Sequence, residues 1–464
     1  MQRLTLFMIV VVTMVGFFAK GDFWGRFRFL PGSFQYIPEL LGAAAAAYVV
    51  FAGTRSRFQF VRPVYWLIFG LLLVDAICGV LVNSVGSGPV FAGVRNYLRA
   101  IPWFFVPAAF AYDNPKLLDQ LRLMLWICVL QVPFAIEQRI KTGSSNASSV
   151  GAMVTGDLTS GTLQDSGILS TVLISAVCVA AAFYIRKLLA PRQFLFMFIL
   201  FLLPTTINET KGTLLMLPIG LVITLLCASK VGTRLKYFLL AISLTGMFLA
   251  AFVPIYDAMN EGRRYGVSIG DFFSDSKNWE RYVTTGKELG AEGQVGRLDA
   301  LMIPVHFLAK KPTTFVFGLG MGNASHSSIS PQFSGEYHEL FKPLFIIAIS
   351  RIFSELGLFG CLLLYILYWQ LFVDSKALAR SDSGAAGAFG AGWAGVVAIM
   401  AMATLYTTVD AFVSTSFLFW YFSGFVAAQR VRSGAALRAE MLSRRNFPNG
   451  EPRSTVRLPT MGTS

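Results

Sequence analysis

Long apolar runs separated by short basic or polar stretches repeat along almost the whole chain. They are interrupted at length once, by a polar segment from Asp257 to Leu340. About 20 consecutive apolar residues cross a bilayer as a helix, and unpaired backbone in hydrocarbon is prohibitively costly, so each run predicts a membrane-spanning helix. Twelve spans are expected, near 4–19, 36–53, 63–83, 97–112, 118–137, 165–185, 193–208, 210–229, 236–256, 344–373, 391–409 and 411–428. The fourth contains Arg99 and Pro102, and the seventh and eighth are almost fused through Asn208-Glu209-Thr210-Lys211. The run from Leu4 to Phe18 ends at Phe17-x-Ala19, a poor leader-cleavage site, and is read as a span. The predicted fold class is all-α, a polytopic membrane helix bundle of about 12 transmembrane helices with one large loop. Its parts are 1–256 (spans one to nine), the loop 257–340, 341–428 (spans ten to twelve) and a tail, 429–464.

The loop is too long to lack structure of its own. Within it Leu298, Leu301, Met302, Val305 and Leu308 recur at helical spacing. They predict an amphipathic helix over 296–311, lying along the membrane surface or over the spans.

Composition agrees with a membrane domain: 55% of residues are hydrophobic, 14% are charged and mean hydropathy is +0.60. The net charge of +14 would suit nucleic acid or anionic lipid, but its distribution follows the positive-inside rule, and no nucleic-acid partner is expected. With the N-terminus inside, the inner segments carry Arg55/Arg57/Arg62, Lys116/Arg122, Arg186/Lys187/Arg192, Lys230/Arg234/Lys236 and Lys376/Arg380. Seven more arginines follow Ala428. The other side holds fewer cations, so both termini are expected in the cytoplasm and the 257–340 loop outside it. The Arg-, Ser-, Pro- and Gly-rich tail reads as disordered and drawn to anionic headgroups. The five cysteines lie far apart in apolar runs and read as packing residues.

Chemistry is sought first by exclusion. Thr285-Gly286-Lys287 is followed by Glu288 and lacks the glycine spacing of a phosphate-binding loop, and no Asp-x-Asp pair occurs. Neither a metal nor another cofactor is implied. All three histidines, His306, His326 and His338, fall in the loop. His338, beside a span and flanked by Glu336 and Glu339, ranks first as a general base by position; His326, among serines, ranks second by chemistry. A surface histidine is more often simply solvated than catalytic. Arg95, Lys211, Arg297 and Arg351 are expected on the outer face, where arginines can grip a diphosphate with two parallel hydrogen bonds. Glu355 stands four residues after Arg351, either as a helix-stabilising pair or as part of a site.

The order of these motifs resembles the O-antigen ligase and Wzy-type polysaccharide polymerase superfamily of bacterial inner-membrane proteins. The likeness covers roughly 160 to 373 and rests on five stretches. These are Ser160-Gly161-Thr162-Leu163, Glu209-Thr210-Lys211-Gly212, Gly296-Arg297, Pro312…Phe317-Gly318-x-Gly320 and Ser354-Glu355-Leu356-Gly357-Leu358-Phe359-Gly360. Ligases of this group carry His-Asn before the last glutamate, where this chain has Ile346, and an arginine where it has Lys211. The first departure shifts the expectation to a polymerase. The resemblance implies a metal-independent glycosyltransferase that joins undecaprenyl-diphosphate-linked oligosaccharide units into exopolysaccharide or O-antigen at the periplasmic face. Its partners would be membrane lipid, a flippase and a chain-length regulator. A ligase passing glycan to lipid A core is the near alternative; a multispan transporter or lipid flippase is the alternative of another class.

Overall fold

The computed structural model describes residues 36–56, 58–110, 114–143, 154–156, 166–261, 268–285, 295–327, 330–410 and 413–446. These are helical and contain no strand. In chain order the first nine α-helices are α1 (Ile37–Ser56), α2 (Pro63–Val82), α3 (Ser87–Leu98), α4 (Ile101–Ala109), α5 (Asn114–Gly143), α6 (Ser166–Ile185), α7 (Pro191–Ile207), α8 (Thr213–Ala228) and α9 (Arg234–Asn260). Five shorter ones follow: α10 (Ile269–Ser274), α11 (Ser276–Val283), α12 (Arg297–Leu308), α13 (Pro312–Phe317) and α14 (His338–Phe341). The last three are α15 (Ala348–Ser381), α16 (Ala385–Ala403) and α17 (Val413–Asn446).

Among the described residues, six segments are long and apolar enough to cross a membrane: Pro63–Val82, Lys116–Thr142, Ser166–Ile185, Val231–Asn260, Ala348–Ser381 and Ala385–Ala403. They coincide with predicted spans three, five, six, nine, ten and eleven. The first predicted span lies outside the described residues, and the second is the 20-residue α1. The fourth is not one helix. It breaks between Leu98 and Ile101, where Pro102 has no N–H to carry the helical ladder across. The seventh and eighth are α7 and α8, of 17 and 16 residues. The twelfth continues as α17 past Ala428, where the disordered tail was expected to begin, as far as Asn446.

The centre of the bundle is made by α6, α8 and α16: most residues of α6 and α16 and half of those of α8 are buried. Small residues allow this. A Cβ on Gly392 would stand 2.7 Å from the Val179 Cα, and one on Gly395 2.7 Å from the Gly220 carbonyl. Lipid supplies little hydrophobic drive between helices, so close backbone approach must supply the contact energy. The periphery is the reverse: α2 exposes Leu67, Val74 and Leu81, and α9 exposes Leu235, Leu239 and Ile242, as surfaces meeting hydrocarbon do.

Two glycine motifs that stand far apart in the sequence interlock. Helix α15 breaks at Gly357 (φ 63°, ψ −164°). The freed carbonyls of Ser354 and Glu355 accept hydrogen bonds from Leu319 N (2.8 Å) and Gly320 N (3.1 Å). Asn83 Nδ2 donates to both Gly79 O (2.8 Å) and Gly318 O (2.9 Å), tying α2 to the same loop. Non-helical backbone is therefore paired and enclosed by protein, the condition under which it can exist beside hydrocarbon.

The amphipathic helix is corrected in its facing. α12 buries Ala300, Pro304 and Leu308, whereas Leu298 and Met302 of the predicted stripe are 43% and 37% exposed. The small Ala300 side chain and the Pro304 ring permit close docking on α15, a gain that larger leucines on the opposite face cannot match. Only Leu308 belongs to both faces.

Candidate functional site

The helix ends bearing the predicted cations gather at one end of the bundle. Arg139 Nη1, near the end of α5, pairs with Glu209 Oε1 at 2.7 Å. The start of α15 donates from Ala348 N to Thr407 O (3.0 Å) and from Ile349 N to Thr404 O (2.9 Å), fixing the α16–α17 connection. The α7–α8 turn is built by Asn208. Its Oδ1 accepts from Thr210 N at 3.1 Å, and its Nδ2 donates to Ser166 O at 3.0 Å and Ser170 Oγ at 2.9 Å. Glu209 then takes the left-handed conformation (φ 58°). That turn faces Lys211 and Glu209 to different partners.

Lys211 Nζ lies 4.1 Å from the ring centroid of Phe272, 5.3 Å from that of Tyr282 and 5.8 Å from that of Tyr256. Aromatic faces attract an ammonium and partly replace its lost water. Burial still pushes the Lys211 pKa down to about 8; Glu209 works against that fall, and the nearby Arg297 charge adds to it. The Arg297 guanidinium carbon lies 4.2 Å from the Tyr282 ring centroid and 4.4 Å from the Tyr406 centroid. Arg297 Nε donates to Tyr406 O at 3.3 Å. The Tyr282 hydroxyl donates to that of Tyr406 at 3.1 Å, closing the clasp. Burial and Tyr406 hold the Tyr282 phenol well above its ordinary range, so it stays neutral. Arg297 is thus held by its Nε and its faces, and its two Nη groups bond to no described residue. Planar N–H pairs presented this way suit a phosphate oxyanion.

The other predicted residues are placed as follows. Arg351 bonds to Asp410, not to Glu355, and lies 5.4 Å from the Tyr97 ring centroid. The helix-stabilising i,i+4 pair, one of the two readings of these residues, gives way to a pair with the α16–α17 connection. Glu355 is fully buried and accepts from Ala324 N at 3.2 Å, so it braces the glycine loop. Arg95 Nη2 meets Glu39 Oε1 at 2.7 Å. His326 and His338 come together, their ring centroids 5.7 Å apart. His338 Nδ1 stands 2.7 Å from Gly335 O and its Nε2 3.0 Å from Glu339 Oε1, while His326 Nδ1 stands 3.2 Å from Ser334 Oγ. A carbonyl and a carboxylate can only accept, so His338 faces an acceptor at each ring nitrogen, Gly335 O at Nδ1 and Glu339 Oε1 at Nε2. Among the described residues, no hydrogen bond, ion pair or ring contact joins this histidine pair to Arg297 or Lys211. Ser160-Gly161-Thr162-Leu163 lies outside the described residues.

Four residues essential to the cation clasp, Tyr256, Phe272, Tyr282 and Tyr406, have no signal in the sequence. Aromatic residues flank many apolar runs, and four separate segments meet here only through the fold. Asp75 is a further surprise. It sits in the middle of α2, is fully buried, and neither carboxyl oxygen has a hydrogen-bond partner among the described residues. No family model matches this chain, and no curated protein matches it either.

Proposed function

We propose that this chain is a membrane glycosyltransferase polymerising undecaprenyl-diphosphate-linked oligosaccharide repeat units at the periplasmic face of a bacterial inner membrane. In this reading it has about 12 spans and both termini in the cytoplasm. The observation that carries the reading is the clasped Arg297, with its two Nη groups turned to no described partner and a second buried cation, Lys211, beside it. An acceptor hydroxyl would attack the anomeric carbon of the donor sugar. As the new C–O bond forms, the bond to the diphosphate breaks, and undecaprenyl diphosphate leaves with the electron pair. The hydroxyl proton passes to a base, for which His338, His326 and the carboxylates Glu336 and Glu339 are candidates. Arg297 and Lys211 would stabilise the charge that grows on the leaving oxygen, the kind of interaction that counts most in the transition state.

Replacing Arg297 with alanine is expected to lower polymer formation on the order of a hundredfold or more, by analogy with removing one preorganised charge-stabilising donor. Arg297→Lys should recover only part of it, because an ammonium cannot bond two oxygens as a planar fork does. Polymer measured against membrane-inserted protein decides this; normal polymer from Arg297→Ala refutes the assignment.

One observation favours a transporter or flippase instead: an unpaired carboxyl inside a span, such as Asp75, suits proton-coupled movement of a substrate. Asp75→Asn, nearly isosteric and uncharged, separates the two. Polymer formation that survives it supports the transferase, and loss of substrate translocation in vesicles without change in glycosyl transfer supports transport.

A further inference from the structure

At the other end of the bundle, a cavity of about 740 Å³ opens between the ends of α6, α8 and α15 and the start of α9. Five cations line it: Arg186, Lys230, Arg234, Lys376 and Arg380. No acidic residue lines it, and none of the five forms an ion pair among the described residues. The nearest acids along α15 are engaged elsewhere. Asp374 is bonded to Arg62 (2.7 Å) and Tyr65 (2.7 Å), and Asp382 accepts from Gly384 N (2.6 Å) and Gly387 N (3.2 Å). The segment after Ala428 brings no excess of acid either, with seven arginines against two glutamates. Retention of cations on one side of a membrane requires only that they lie in loops. It does not require four helix ends to converge them on one hollow, where mutual repulsion raises the energy of the unliganded fold.

The lining also includes the apolar Ile223, Leu226 and Phe372. On α9, directly after the lining residue Arg234, Leu235, Phe238 and Leu239 are exposed. Cations beside apolar side chains are the complement of an amphipathic anion, with its phosphate on the cations and its acyl chains along α9. We propose that this cavity binds the headgroup of an anionic phospholipid. The site stands apart from the Arg297 clasp: α6 has 20 residues and rises about 30 Å from end to end. A Cβ on Gly167, at the start of α6, would stand 3.4 Å from the Tyr406 ring, and Arg186 follows the last residue of α6. The inference does not rest on the transferase reading.

The test uses the full-length protein in vesicles of phosphatidylcholine with and without phosphatidylglycerol. Native mass spectrometry of the extracted protein then counts retained lipid. Phosphatidylglycerol is expected to be retained in preference to phosphatidylcholine, and raising salt should release it, because the attraction is screened. Each cation near a headgroup is worth about a fivefold change in affinity. The variant R234Q/K376Q/R380Q should therefore hold phosphatidylglycerol on the order of a hundredfold more weakly. Arg186 is left in place because its guanidinium also holds the Ala379 carbonyl. Should the triple variant fail to accumulate, Lys376→Gln alone, with about a fivefold loss, keeps the comparison open. Equal retention by wild type and variant, or retention indifferent to salt, overturns the proposal. Inorganic phosphate that protects the delipidated protein against heat as well as phosphatidylglycerol does also overturns it, in favour of a free-phosphate site.

Discussion

Lys211 carries a pH dependence that can be worked out from its surroundings. Its pKa in the folded chain is about 8 against an ordinary 10.5, so the charged form is disfavoured by folding. The native state binds fewer protons than the unfolded state between those two values, and stability rises with pH through that window. Function should run the other way. If the ammonium helps to hold a diphosphate, polymer synthesis at limiting donor, which reports the free enzyme, should fall as pH rises through about 8. Lys211→Arg, charged at any accessible pH, should move that falling limb upward; an unmoved limb would mean that another group titrates. Lys211 and Arg297 were visible in the sequence because cations beside apolar runs are costly and conspicuous. Their aromatic surroundings were not, because Tyr282 and Tyr406 are more than a hundred residues apart and share only a hydrogen bond between phenols.

Among the elements, the broken helix α15 and its glycine loop make the sharpest claim. Gly357 and Gly318 both have positive φ (63° and 69°), and a Cβ on either would run into the other's segment: the Val316 carbonyl for Gly357, the Glu355 carbonyl for Gly318. With ψ of −164° and −169°, both lie in a region that essentially glycine alone adopts. That region costs a residue with a Cβ about 1–3 kcal/mol, and the forced shift adds about 1–3 more. Gly357→Ala and Gly318→Ala should each lower the unfolding temperature clearly in detergent. Gly246→Ala in α9, whose Cβ would meet nothing, should leave it unchanged or raise it, because alanine is the better helix former by about 1 kcal/mol. Equal effects at all three positions would show that the junction is not tightly packed. The sequence marked both glycine motifs and the limits of α12 to within a few residues, since turn glycines and helical periodicity are local signals. It misassigned the buried face of α12 because that helix is apolar on several sides, and only the partner, α15, selects Ala300, Pro304 and Leu308.

Taken as a whole, the molecule has two cationic ends and an apolar middle. One end holds Arg139, Lys211, Arg297 and Arg351, which are engaged by carboxylates or aromatic rings: Glu209 and Asp410 for the outer two, Phe272, Tyr282 and Tyr406 for the central pair. The other holds Arg186, Lys230, Arg234, Lys376 and Arg380 around an acid-free hollow. Topogenic signals depend on cations close to span ends, and neighbouring acids contribute little to them. By that rule the second end, with Arg192, Lys187 and the arginines after Ala428 near it in sequence, is expected in the cytoplasm, and the clasp across the membrane from it. The expected outcome is specific. In a background with the five cysteines replaced by alanine, a cysteine at Lys310, exposed at the end of the loop helix, should react with an impermeant thiol reagent in intact spheroplasts. One at Arg192, exposed at the start of α7, should react only after lysis. Labelling of Arg192→Cys in intact cells, with Lys310→Cys protected, would invert the orientation. It would put the Arg297 clasp on the side facing nucleotides and soluble metabolites, where a lipid-linked donor flipped to the periplasm could not reach it.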